Sequence, residues 1–224
     1  MVADTPMSRI SRRRNAALSD GSAEYAARRA QLIGIAAQVF HEKGYASSTL
    51  SDIAQIFGTD RASLYYYAGG KEELLREGVT AVVEHRVEEA EAVVVSPATP
   101  LAKASRLIRI VVDAQFEDFP AVQVFIRESA VRISDTASDL SSQLTVLRRR
   151  LEKCFTRVVE EGVASGVLRD DVPVALLVHG LLGTVLSTHR WIMPGGAHSA
   201  AEVAEAFEKL FLQGAQSRSA ADRE

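Results

Sequence analysis

Between Glu24 and Lys71, glycine stands wherever a helix would have to stop: at Gly44, at Gly58 and at the pair Gly69-Gly70. Glycine enters left-handed backbone without a steric cost and so ends helices, which cuts this stretch into three short segments. Each carries its apolar residues at helical spacing. The first has Leu32, Ala36, Val39 and Phe40; the second, from Thr49 to about Phe57, has Leu50, Ile53, Ala54 and Phe57. Ser48 or Thr49 can cap the second helix, the latter with Asp52 at the third helical position, and Asp60 caps a third helix over Arg61 to about Tyr67. Two short helices parted by a glycine-containing turn make the general helix-turn-helix arrangement. Leu50, Ile53, Ala54 and Leu64 close a small core with the first helix, and small Ala54 allows a close approach. The third helix is then free to present Arg61, Ala62, Ser63 and Tyr66 to a major groove, which admits one helix and displays a readable donor and acceptor pattern.

The remainder also reads as helices only. A long segment over 71–95 places Leu74, Leu75, Val79, Val82 and Val83 on one side. Thr99-Pro100 opens a helix to about 118, with a Thr cap and Pro at the first helical position. Pro120 parts it from another over 120–131, and Ser134–Ser138 is a polar turn. Leu140, Leu144, Leu147, Leu151, Phe155 and Val158 mark one stripe of a long helix. A further helix leads from Asp170-Asp171-Val172-Pro173 to about Met193. Ser199 and Glu202 form a capping box for the last, with Val203, Phe207, Leu210 and Phe211 facing inward. The expectation is an all-α chain of about nine helices. It divides into a basic arm (1–22), a three-helix DNA-binding domain (23–70), a larger ligand-binding and dimerisation domain (71–214) and a tail (215–224).

Charge is unevenly spread. Residues 1–71 hold nine Lys/Arg against six Asp/Glu, and residues 72–224 hold seventeen against twenty-three. A basic N-terminal part on an acidic body suits a DNA reader, because phosphate attraction supplies much of the affinity. Arg9, Arg12, Arg13 and Arg14 make residues 1–22 a flexible arm that either reaches DNA or is merely solvated. The single cysteine, Cys154, excludes an internal disulfide and sits in an apolar run as core packing. The start lacks the apolar core of a signal peptide and no terminal apolar run suggests a membrane span, so a cytoplasmic protein is expected. The five histidines show no metal-binding pair, and nucleophile-elbow and phosphate-loop patterns are missing, so neither an enzyme, a metal site nor a cofactor is expected.

The wording of residues 29–75, RAQLIGIAAQVFHEKGYASSTLSDIAQIFGTDRASLYYYAGGKEELL, resembles the DNA-binding segment of the TetR family of bacterial regulators. The matching residues are Ala36, Phe40, Gly44-Tyr45, Asp52-Ile53-Ala54, Gly58, Leu64-Tyr65 and Lys71-Glu72-Glu73-Leu74-Leu75. The resemblance implies that Ser48 or Thr49 holds a phosphate, that Arg61, Ala62, Ser63 and Tyr66 occupy reading positions, and that Tyr65 and Lys71 clamp phosphates beside the groove. Lysine in the first turn of a helix opposes the macrodipole, and a phosphate docked there would explain it. Ala68 stands where the family usually has Phe, and Tyr67 is placed to fill that space.

The stretch VPVALLVHGLLGTVLSTHRWIM (172–193) is apolar almost all round, which suggests burial against a partner chain and a homodimer through the last two helices. Phe116, Phe119, Phe125 and Trp191 lie on segments that would enclose a cavity for a small apolar effector, with Leu182 and Leu186 on the apolar helix beside it. The ending His189-Arg190-Trp191-Ile192-Met193-Pro194-Gly195-Gly196 resembles TetR-type regulators of lipid and sterol breakdown. Some of these answer to acyl-CoA thioesters, for which Arg127, Arg132, Arg148, Arg149, Arg150 and Arg190 are the cationic candidates. The competing reading is a helical dimeric binding module without DNA function. The reading favoured is a repressor that binds double-stranded DNA as a dimer and is released by its effector.

Overall fold

The computed structural model describes residues 23–131, 139–192 and 195–215. The arm (1–22), Arg132, the polar turn 134–138, Met193-Pro194 and the tail from 216 lie outside the described residues. Among the described residues there are nine helices and no strand: α1 (Ala23–Lys43), α2 (Leu50–Phe57), α3 (Arg61–Leu64), α4 (71–95), α5 (Pro100–Glu117), α6 (Ala121–Val131), α7 (Asp139–Ala164), α8 (Val174–Ser187) and α9 (200–215). None is long and apolar enough to cross a membrane.

The stop signals act as the sequence implies. Gly44 and Gly58 sit at φ 79° and 77°, left-handed backbone that ends α1 and α2. The Thr49–Asp52 box is formed in both directions at the start of α2, as is the Ser199–Glu202 box at the start of α9. Thr99 accepts from the Ala102 N–H, with Pro100 opening α5.

Contacts divide the chain between Ala81 and Val82, eleven residues past the 70/71 boundary read from the sequence. The reason lies in α1, whose Arg29 bonds to Glu73 (3.2 Å), to Glu77 and to the Tyr67 carbonyl (3.1 Å). That ties the first two turns of α4 to the N-terminal unit. Gly78 completes the seam, since a Cβ there would lie 2.8 Å from Ile33 Cγ2. The ladder of α4 widens into a π-helical turn over Arg76–Thr80 before resuming over Ala81–Val95. Leu32, Ala36, Val39, Phe40, Ile53, Ala54, Leu64, Leu74 and Leu75 form the core of this unit.

The core of the C-terminal unit gathers Leu107, Ile108, Val112, Phe155, Val158, Val178, Val185 and Phe207 from α5, α7, α8 and α9. Cys154 is buried among them, and desolvation pushes its thiol up to about 11, so it stays protonated and packs as a small apolar group. Ion pairs brace the helices: Lys103 reaches Glu161 at 2.9 Å, and Arg150 reaches Glu91 at 2.9 Å.

Three local expectations are corrected. The α-helical part of α3 ends at Leu64; Tyr66 and Tyr67 continue as tighter i to i+3 turns, bonding to Ser63 and Leu64. The eighth helix ends at Ser187 and tightens into a 3₁₀ turn over Thr188–Arg190, because the Thr188 carbonyl takes the N–H groups of both Trp191 and Ile192. Leu210, expected inward, is 68% exposed. A π-helical turn over Glu208–Leu212 turns α9 less per residue than an α-helix does and carries Leu210 off the buried face of Val203 and Phe207.

Candidate nucleic-acid interface

Thr49 opens α2 and Asp60 opens α3, and both caps use exposed side chains. The Thr49 hydroxyl and N–H each donate to Asp52 at 2.7 Å, and Lys43 Nζ reaches the other carboxylate oxygen at 2.7 Å. The Lys43 bond first, and then the Thr49 bonds, hold the Asp52 carboxyl down at about 2. Asp60 accepts from the N–H and hydroxyl of Ser63, both at 2.8 Å, which keeps its carboxyl below the usual range.

With Leu64 fully buried beneath it, α3 leaves Arg61, Ala62 and Ser63 exposed. The Arg61 guanidinium lies 3.4 Å from the Tyr65 hydroxyl, one turn on. Tyr66 and Tyr67 are half-buried in an aromatic cluster that sequence reasoning only partly foresaw. Tyr67 stacks on Tyr25 (5.5 Å, 19°) and meets the edge of Phe57 (5.5 Å, 80°), while Tyr66 meets Tyr25 at 5.4 Å and 85°. Tyr25 itself was missed, although its place one turn before Arg28 and Arg29 is a helical-spacing signal. Arg28 caps the cluster, 4.5 Å above the Phe57 ring.

Lys71 answers its own placement. Its ammonium group does not stay at the α4 N-terminus but donates to the carbonyls of Tyr45 (2.6 Å) and Ser48 (3.0 Å), over the Tyr45 ring. It thereby fixes the turn that leads into α2. Ser48 is buried and its hydroxyl donates to the Tyr45 carbonyl at 2.8 Å, so of the two residues at this helix start only Thr49 is open to solvent.

In the C-terminal unit, a narrow apolar cleft lies among α4, α5, α6, α7 and α8. Phe125 and Leu186 line it, as the sequence suggested. Phe116 is half-buried against the core, Phe119 is half-buried, Leu182 is a core residue, and Trp191 and Arg127 face solvent; none of the five lines the cleft. Trp191 is turned out by the 3₁₀ turn that ends α8. The described arginine candidates are spread elsewhere. Arg150 is bound to Glu91 and Glu84, Arg148 pairs with Glu152, and Arg149 and Arg190 are exposed. The polar lining residues, Arg86 and Gln115, were both missed. Gln115 carried a signal, as the one amide of α5, set beside Val111, Val112, Ala114 and Phe116.

A family model described as "Bacterial regulatory proteins, tetR family" matches residues 32–77, and one described as "Tetracyclin repressor-like, C-terminal domain" matches residues 97–215. The chain belongs to the TetR family. It is thus a bacterial regulatory protein of that family, with the helix-turn-helix in its N-terminal unit. Among curated relatives, the HTH-type transcriptional repressor KstR2 of Mycolicibacterium smegmatis is 27% identical over 195 residues, 87% of this chain and 94% of the relative. Among solved structures, the ketosteroid transcriptional regulator KstR2 of Mycobacterium tuberculosis superposes with a TM-score of 0.78 at 26% identity, covering 85% of this chain and 96% of that one. The TetR family regulator PfmR from Thermus thermophilus does so with a TM-score of 0.70 at 28% identity, covering 81% and 97%.

Proposed function

We propose that this TetR regulator binds a palindromic operator as a homodimer and leaves it when a small apolar effector enters the α4–α8 cleft. Arg61, Ala62, Ser63 and Tyr66 read bases, and Thr49, Tyr65 and Lys71 position phosphates at the groove edges. The observation that carries this reading is the solvent-facing row Arg61-Ala62-Ser63 on a helix locked from behind by Leu64 and Asp60. A rigid helix with free side chains on one face is what groove recognition requires.

Dimerisation rests on α8 and α9. Leu176 is 62% exposed, and Gly180, Gly183 and Leu210 are exposed beside it in sequence or on the next helix. Exposed apolar and small residues recurring along one side of α8 favour a second copy of the same surface. A dimer whose reading helices stand about 34–36 Å apart spans one duplex turn. An effector that prefers another spacing shifts the population away from DNA by its differential affinity alone.

The test is selection from random-sequence duplexes at two salt concentrations. Enrichment of a palindrome with half-sites one turn apart, and affinity that falls as salt rises, is the expected result. A stable dimer that enriches no sequence would overturn the reading and leave a helical binding module.

A further inference from the structure

We infer that Arg28, on α1, is a further DNA-contacting residue, which holds a backbone phosphate of the operator near the end of α2 opposite Thr49. The inference rests on the reading of α3 as the groove helix and adds to it a contact from outside the helix-turn-helix.

Arg28 lines an open notch of about 500 Å³ together with Ala62, Ser63 and Tyr66, three of the four reading positions. Phe57, Thr59 and Tyr67 complete the lining. The α1 arginine thus shares one concave surface with the face of α3 that is turned to solvent. Arg28 is itself exposed, and its guanidinium carbon lies 4.5 Å from the centroid of the buried Phe57 ring. An aromatic face beneath a guanidinium fixes its position and leaves the N–H groups at its edge for other partners.

One of those N–H groups donates to Gln31 Oε1 at 3.0 Å, a neutral acceptor. Among the described residues no carboxylate pairs with Arg28, and no Asp or Glu lines the notch. Asp60, beside Thr59 in sequence, turns its carboxylate to the N–H and hydroxyl of Ser63. The neighbouring Arg29 is the contrast, since Glu73, Glu77 and the Tyr67 carbonyl take its donors. Of two adjacent arginines, one is bound into the fold and the other keeps its charge without a countercharge. Thr59 adds a hydroxyl that makes no hydrogen bond among the described residues. Arginine and threonine donors beside a reading helix are suited to phosphate oxygens.

Position selects a phosphate over a base. The major groove admits one helix, and α3 fills it, so a residue on α1 meets the strand that borders the groove. The eight residues of α2 span about 12 Å, with Thr49 before the first and Phe57 as the last. The phosphate at Arg28 is therefore a different one from that at Thr49.

The experiment titrates the full chain and Arg28→Met against the selected palindrome and against an unrelated duplex of equal length, at several salt concentrations. Methionine keeps an apolar stem over Phe57, so thermal midpoints of the two proteins are expected to agree; Arg28→Gln takes its place if they do not. The variant should bind both duplexes about tenfold more weakly, and its slope of log affinity against log salt should shrink by about 0.9 for each protomer engaged. Arg28→Lys should restore the slope. A scan of single methylphosphonate replacements then locates the contact. One neutralised phosphate per half-site should weaken the wild type and leave Arg28→Met indifferent, and it should differ from the phosphate that Lys71→Met ignores. An unchanged slope in both charge-removing variants would overturn the inference and leave Arg28 as a cover for Phe57. So would a loss confined to the palindrome, which marks a base contact, or a phosphate shared with Lys71. A wild type that selects a palindrome while Arg28→Met binds it equally well sinks this inference alone. A wild type that selects none sinks the operator reading, and the unrelated duplex still tests Arg28.

Discussion

The ammonium group of Lys71, in the first turn of α4, donates to the carbonyl oxygen of Tyr45 across 2.6 Å and stands 4.3 Å from the centroid of the Tyr45 ring. A charge that would oppose the dipole of its own helix is thereby placed against carbonyl dipoles of a neighbouring turn. Lys71→Met keeps the aliphatic stem and removes the amine. We expect it to lower stability by about 1–2 kcal/mol, the usual worth of charged hydrogen bonds that are partly solvated. With a phosphate contact also lost, operator affinity should fall about tenfold and the salt slope should shrink by about one. Urea melts and DNA titrations at several salt concentrations separate the two effects; an unchanged slope would assign Lys71 to the turn alone.

Arg61 is exposed at the start of α3, where its guanidinium lies 3.4 Å from the Tyr65 hydroxyl. Arg61→Ala should therefore leave stability within about 0.5 kcal/mol, as for most surface changes. On the selected operator it should cost about 1–3 kcal/mol while changing binding to unrelated duplex far less. Fluorescence anisotropy on the two duplexes measures both.

Asp52 links the α2 cap to α1 through Lys43, and its carboxyl is depressed from 3.8 to about 2. A group whose folded pKa lies below its unfolded value stabilises fully above the unfolded value and loses that contribution as pH falls. Thermal midpoints of the wild type should consequently drop between pH 3.8 and pH 2 through this group, and Asp52→Asn should flatten that part of the profile. Parallel profiles for the two proteins would show that the cap does not depend on the charge.

Gly78 lies where a Cβ would approach Ile33 Cγ2 to 2.8 Å. A β-branched neighbour cannot swing its Cγ2 away without turning the whole side chain. Gly78→Ala gains about 1 kcal/mol in helix propensity but meets an overpacking cost of about 1–3 kcal/mol, so net destabilisation is expected. The double variant with Ile33→Ala removes the clash, so it should be destabilised by about 1 kcal/mol less than the sum of the two single variants. Additive effects would show that α1 and α4 adjust freely at this seam.

Gly180 faces open space, with nothing within 4 Å of a Cβ built there. Gly180→Glu should therefore leave the protomer folded. Across a two-fold interface on α8 the same change sets two carboxylates against each other, so light scattering should report a monomer and palindrome binding should be lost. A dimer that persists in this variant would place the interface elsewhere.

The sequence by itself determined where helices begin and end through most of the chain. Gly44, Gly58, Thr49 with Asp52, Asp60, Thr99-Pro100 and Ser199 with Glu202 act within one or two turns, and their effect does not depend on distant partners. The all-helical class and the family were legible for the same reason. Tertiary structure decided where polar side chains went. Lys71 meets a carbonyl 26 residues away, Arg29 a carboxylate 44 away, and Gln115 a carbonyl 70 away. Ser48 turned inward and Trp191 outward for want of any local rule. The π turns at Arg76–Thr80 and Glu208–Leu212 likewise reset the facing of residues that a regular 3.6-residue period had placed, as at Leu210. Local capping and periodicity fix the backbone over a few residues; which buried amide finds a partner and which does not is set by how whole helices pack.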